Sequence, residues 1–277
     1  MCKMLIINKK NVAAVSASCS IPHVSLQAMT RVAIVNYLNT TPFLYGIRRH
    51  GLDQNPEFEF QYHFPANCAR SLIQGDADIG LVPVAVLPQL STYEIIGNTC
   101  IGADGRVESV LLVCNQPLEQ ITTVWLDYQS KTSVALCKIL MRDFWNKAVD
   151  FRDSGEHYLS QVSENEAAVV IGDRAFDAAI QFLFSYDLAE AWKQFTGLPF
   201  VFALWISKTP VSPLVSKTLN DAFLTGILHR EEAAEEIEML YPQHYSIRKY
   251  LTQSISYTFD EPKKKGLETF LSLLSKS

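Results

Sequence analysis

The polar residues best placed for chemistry stand where strand-like runs give way to helix-like runs. The first group is Asn36-Tyr37-Leu38-Asn39-Thr40-Thr41-Pro42, directly behind the apolar run Val32-Ala33-Ile34-Val35. Amides and hydroxyls in such a place can hydrogen-bond a ligand, although Asn and Thr also serve as ordinary turn and cap residues. The second group is Asp127-Tyr128-Gln129-Ser130-Lys131-Thr132-Ser133, between a strand and an amphipathic helix. Hydroxyls combined with the unpaired N–H groups of a helix start suit a carboxylate or phosphate, and an ordinary N-cap is the alternative. Gly172-Asp173 follows the apolar run Ala167–Ile171, with Asp173 either a cap or a ligand-facing residue. Gly105-Arg106-Val107-Glu108-Ser109 places Ser109 at the opening of a strand. Gly75-Asp76-Ala77-Asp78-Ile79-Gly80 reads as a turn into a buried strand, and Lys263-Lys264-Lys265 as the solvated start of the last helix.

Other chemistries have no signal. There is no Gly-x-Gly-x-x-Gly, no Walker loop, no His-Glu-x-x-His and no Gly-x-Ser-x-Gly. The six histidines are scattered and none pairs at a metal-ligand spacing, so no metal site is expected. The six cysteines contain no Cys-x-x-Cys, and most lie in apolar stretches such as Leu111–Cys114 and Ala135–Cys137. They read as free, buried thiols of a reducing compartment, and the expected location is cytoplasmic.

The elements that position these groups alternate. Strands are predicted at 32–37, 58–64, 79–82, 93–101, 107–115, 123–126, 149–152, 167–171 and 199–206. Helices are predicted at 42–50 with Thr41 as N-cap, 66–74, 85–90, 133–145, after Asp173, and at 187–195. Four more follow at 213–228 with Ser212 as N-cap, 230–240, 244–251 and 262–274. Strand–helix alternation predicts an α/β fold with mostly parallel sheets. Two lobes are expected, residues 29–116 plus 208–277 and residues 117–207, joined near Asn115–Leu118 and Ser207–Pro210. A ligand cleft would lie between them.

Of 277 residues, 48% are hydrophobic and 19% charged, which excludes a disordered or low-complexity chain. The net charge of −5 leaves no excess of Lys and Arg to neutralise a phosphate backbone, so nucleic acid is not an expected partner. No apolar run approaches the length of about eighteen residues that spans a bilayer, so no membrane partner is expected. Residues 1–28 stand apart. Their apolar core, Val12–Val15, is far shorter than the roughly seven to fifteen residues of a secretory leader. They read as a disordered tail or an upstream extension, with Met29 an alternative start.

Taken in order, several segments resemble one family, the chorismate dehydratases of the futalosine route to menaquinone (the MqnA family). They are Val35–Thr40 with Pro42, Gly75–Pro83, Val107–Val110, Ser130–Ser133, Ile171–Asp173 and Trp192–Trp205. The resemblance spans Arg31 to Trp205 and leaves residues 1–28 outside. It implies a two-lobed type II periplasmic-binding-protein-like fold. It also implies that chorismate, a small-molecule substrate, loses water to give 3-[(1-carboxyvinyl)oxy]benzoate without a cofactor. By the same resemblance Asn39 is the candidate catalytic residue. Ser109, Ser130, Thr132, Ser133, Gly172 and Asp173 are the candidate substrate-binding residues. Two alternatives share the fold: a solute-binding protein of a transporter, and the sister enzyme that cleaves cyclic dehypoxanthinyl futalosine.

Overall fold

The computed structural model describes residues 29–276. The expectations for residues 1–28, and for the two cysteines within them, lie outside the described residues. The chain opens with β1 (Thr30–Val35), a 3-10 turn over Leu38–Thr40 and α1 (Thr41–Arg49). It continues through β2 (Phe58–His63), α2 (Pro65–Gln74), β3 (Ile79–Pro83), a 3-10 stretch over Val84–Gln89 and β4 (Glu94–Ala103). The middle of the chain holds β5 (Val110–Cys114), β6 (Thr123–Leu126), α3 (Lys131–Ile139) with a π-turn over Leu140–Phe144, and β7 (Asp150–Asp153). Next come β8 (Glu166–Ile171), α4 (Arg174–Gln181), β9 (Phe184–Asp187), α5 (Leu188–Thr196) and β10 (Phe200–Ser207). The last part is mostly helical: α6 (Pro213–Leu228), α7 (Arg230–Glu238), α8 (Ile247–Lys249) running into a π-turn over Tyr250–Ser254, β11 (Ser256–Thr258) and α9 (Glu261–Leu274).

Two sheets form, in the orders β11-β4-β10-β3-β1-β2 and β7-β6-β8-β5-β9. Both are mixed, which corrects the expectation of mostly parallel sheets. β1 pairs in parallel with β2 and β3, and β6 with β7 and β8. β10 runs antiparallel to β3 and β4, β11 to β4, and β5 to β8 and β9. The antiparallel pairs arise where the chain changes sheet. β5 belongs to the second sheet and β10 to the first. The crossings therefore fall at residues 104–109 and 197–199 rather than near 115–118 and 207–210. Both strands are buried along their whole length. A continuous apolar run fits the middle of either sheet equally well, so periodicity carries no information about which one it joins.

Local chemistry explains most element ends. Ser212 accepts from Val215 N at 3.2 Å and caps α6 as expected. Thr41 is already helical and does not cap α1. Thr40 holds the turn instead, its hydroxyl lying 2.8 Å from the Val35 carbonyl and 2.7 Å from that of Tyr37. Lys263 is buried rather than solvated. Its stem packs where a Cβ on Gly102 would reach, and its ammonium lies 3.3 Å from Asp260. The four described cysteines are free and buried. Burial pushes the thiols of Cys68, Cys100 and Cys137 up to about 12 and that of Cys114 to about 11.

The helix that carries the Asn39 turn is seated by glycine contacts. A Cβ on Gly46 of α1 would lie 1.9 Å from the Ala222 carbonyl oxygen, and one on Gly226 of α6 would lie 1.7 Å from that of Pro42. Backbone meets backbone there, so neither helix can yield by moving a side chain. Gly226→Ala is expected to lower stability in urea unfolding by about 1–3 kcal/mol or more. Gly155→Ala, at an exposed site with nothing near the added methyl, is expected to stay within about 0.5 kcal/mol of the unaltered protein.

Candidate active site

Between the two sheets lies a small cavity of about 50 Å³. The first lobe contributes Val35, Tyr37, Asn39, Leu81 and Pro83 among others, and β10 adds Phe202 and Ala203. The crossing at 104–109 contributes Val107 and Ser109. The second lobe contributes Ser130, Thr132, Ser133, Ile171 and Gly172. Six of the seven sequence-predicted site residues therefore meet on one wall. Among the described lining residues none is Asp, Glu, His, Lys or Arg.

Asn39 stands in the 3-10 turn between β1 and α1, its carbonyl accepting from the Tyr257 hydroxyl at 3.0 Å. Its side-chain oxygen is buried and has no hydrogen-bond partner, so an acceptor waits at the cavity. Ser130 caps α3: its hydroxyl oxygen accepts from Ser133 N at 3.0 Å. That bond satisfies one of the orphan amides of the helix start and leaves the N–H groups of Lys131 and Thr132 for a ligand. The Thr132 hydroxyl is otherwise engaged. It donates to the Phe202 carbonyl at 3.1 Å and accepts from Ala85 N at 3.2 Å. Its proton thus ties the second lobe to the first, and Thr132 has its backbone N–H to offer instead.

Gly172 serves by its shape. It is left-handed at φ 65°, and a Cβ there would lie 2.9 Å from the Tyr37 ring. Only glycine meets both conditions without strain. Asp173 lies off the cavity wall. It is neither a side-chain cap of α4 nor a lining residue. Its carboxylate accepts from Leu38 N at 3.1 Å, bridging the lobes beside the Asn39 turn. Burial pushes the Asp173 carboxyl up to about 6 from 3.8, against the pull of that amide and of Arg174. Further bonds close the same edge: the Tyr37 hydroxyl donates to Gln129 Oε1, and Ala66 N donates to the Gln129 carbonyl at 3.2 Å.

Acidic side chains sit behind the wall. Asp127, fully buried, accepts from Gln129 N at 2.8 Å, Ile171 N at 3.2 Å, the Tyr158 hydroxyl at 3.0 Å and Arg174 at 2.8 Å. It thereby fixes the Ser130 loop against β8. Asp187 accepts from Val107 N at 2.9 Å and Glu108 N at 2.7 Å in the crossing, and from Ala189 N and Glu190 N at the start of α5. Burial raises its carboxyl, opposed by the amides of Glu108, Glu190 and Val107 and by the charge of Arg106. Sequence reasoning took Asp187 for a helix start alone, and found no role for Tyr250 or Tyr257. No short-range signal marks either tyrosine, whose partners lie 141 and 218 positions away.

A family model described as menaquinone biosynthesis matches residues 30–276. A chorismate dehydratase from Thermus thermophilus is 26% identical over 264 residues, covering 88% of this chain and 94% of that protein. Protein AF1704 from Archaeoglobus fulgidus superposes with a TM-score of 0.73 at 13% identity, covering 91% of this chain and 98% of its own. A Candida albicans gene product superposes with a TM-score of 0.62 at 12% identity, covering 90% of each chain. That product is described as exhibiting the generic periplasmic binding protein structural fold, and the fold here is of that kind. Among the described residues no helix is long and apolar enough to cross a membrane.

The Asp173 shift has a definite sign. A folded-state value near 6 against 3.8 means that the folded protein holds this proton more tightly than the unfolded chain. The associated stability is present at low pH and is lost as pH rises from about 4 through 6. Asp173→Asn keeps an acceptor for Leu38 N and cannot ionise. Its melting temperature minus that of the unaltered protein is expected to be more positive at pH 7.5 than at pH 4.5. A difference independent of pH contradicts the assignment.

Proposed function

The chain belongs to the menaquinone-biosynthesis family, and from that premise we propose that it is a chorismate dehydratase, a carbon–oxygen lyase acting on its substrate in the cavity between the lobes. The observation that supports this best is a cavity wall of neutral donors around a helix start, with no acidic or basic side chain on it. Chorismate carries two carboxylates and a ring that becomes aromatic when water leaves. Such a reaction needs orientation and stabilised negative charge more than a strong external base.

One carboxylate rests at the start of α3, held by the amides of Lys131 and Thr132 and the hydroxyls of Ser130 and Ser133. The α3 dipole and its unpaired N–H groups favour an anion there. The proton removed lies on the ring carbon that bears the enolpyruvyl ether, and the hydroxyl on the adjacent carbon departs. The electron pair left by C–H cleavage is delocalised through the diene onto the ring carboxylate and then expels the hydroxyl. Among the described lining residues Tyr37 alone carries an ionisable group, and burial holds that phenol far above its ordinary value. The substrate's own side-chain carboxylate therefore takes the proton. The proton and the departing hydroxide together make one water.

Asn39 positions this transfer. Its unpaired side-chain oxygen accepts from the departing hydroxyl group of the substrate, the one ligand O–H left when both carboxylates are ionised. A neutral amide is a poor base, so its contribution is geometric.

Incubation of the purified protein with chorismate, followed by chromatography, is expected to show 3-[(1-carboxyvinyl)oxy]benzoate in an amount equal to the chorismate lost. Asn39→Ala is expected to lower turnover about 100-fold or more while weakening product binding, measured by calorimetry, less than about tenfold. Absence of aromatic product contradicts the dehydratase assignment. Unchanged turnover in the variant removes Asn39 from the mechanism.

A further inference from the structure

Tyr250 stands behind the cavity wall, fully buried, on the π-turn that follows α8. Its hydroxyl donates to Ser109 Oγ at 2.7 Å. One tyrosine from the C-terminal helices thus reaches a polar residue of the wall that stands in the crossing. We propose that Tyr250 is a positioning residue for the dehydration: by donating to Ser109 Oγ, it turns the Ser109 proton into the cavity, toward a substrate oxygen. This rests on the chorismate reading of the site.

The direction of that bond follows from burial. A hydroxyl has one proton to give. Tyr250 is shut away from solvent, and Ser109 Oγ is the acceptor within reach of its proton. Ser109 lines the cavity, so its own proton is the one left to meet a ligand. Burial keeps the phenol protonated at any physiological pH, so it remains a donor.

The segment is clamped on both sides of Tyr250. Lys249 Nζ lies 2.6 Å from a Glu108 oxygen, and Ser254 Oγ donates to the other Glu108 oxygen at 2.9 Å. Glu108 immediately precedes Ser109 and is itself left-handed at φ 66°, a conformation costly for any residue that carries a Cβ. The Tyr250 ring also meets Phe176 of the second lobe edge to face, with centroids 5.0 Å apart at 89°. Lobe, crossing and C-terminal turn therefore converge on one phenol.

Tyr250→Phe keeps the ring and removes the hydroxyl. With chorismate as substrate, its kcat is expected to fall about tenfold or more, with KM changed less than threefold and melting temperature within a few degrees. Combined with Ser109→Ala, the loss is expected to fall well short of the product of the two single losses, because both act through one hydrogen bond. A merely structural tyrosine would give losses that multiply. Multiplying losses, or an unchanged kcat in Tyr250→Phe, overturn the proposal while leaving an active dehydratase. An unaltered protein that makes no aromatic product overturns the dehydratase reading, and this role with it.

Discussion

The start of α3 directs the free amides of Lys131 and Thr132 at a cavity whose described wall carries no charged side chain. An anion taken out of water must recover its hydration from somewhere. In the proposed reaction it recovers it from oriented N–H groups and hydroxyls, fixed before the ligand arrives, which cost no reorganisation. A lysine or arginine on the same wall would hold the carboxylates more tightly in substrate and product alike. In the proposed dehydration, neutral dipoles leave the negative charge free to move through the ring as the hydroxyl departs. The rest of the molecule serves to keep that helix start, the Asn39 turn and Ser109 facing one another.

The acidic residues do their work one layer back. Asp127 fastens the Ser130 loop to β8 and to Arg174, and Asp187 fastens the crossing to α5. Each buried carboxylate is met by several amides, which is the condition under which a buried charge is tolerated. Thr132 adds a neutral staple between α3 and β10. The polar residues of the wall are thereby oriented by partners that never reach the cavity. The lobes meet at its edge through Tyr37, Gln129 and Asp173.

Much of this was legible in the sequence where the signal is local. Apolar runs marked β1, β3 and β8, and the Ser–Pro pair before α6 marked its start. Residues following a strand pointed to Asn39, Ser130, Ser133 and Gly172, which line the cavity. What escaped was non-local. Nothing in Val110–Cys114 or Phe200–Ser207 says which sheet it joins, because a strand buried on both faces looks the same in either. The short strands Phe184–Asp187 and Ser256–Thr258 exist through pairing with β5 and β4, not through their own pattern. Asp173 read as a cap or ligand because its true partner, Leu38 N, lies 135 positions away. Tyr250 fell inside the helix expected at 244–251 without a role, because its partner Ser109 lies 141 positions away.

The central claim is that a helix start and neutral donors hold the carboxylate. It is tested most directly by a crystal structure of the protein with 3-[(1-carboxyvinyl)oxy]benzoate bound. The account places one carboxylate at hydrogen-bonding distance, about 3 Å, from the amides of Lys131 and Thr132, with the ring beside Asn39. A ligand seated away from the start of α3, or with its carboxylates paired to lysine or arginine side chains, would contradict it.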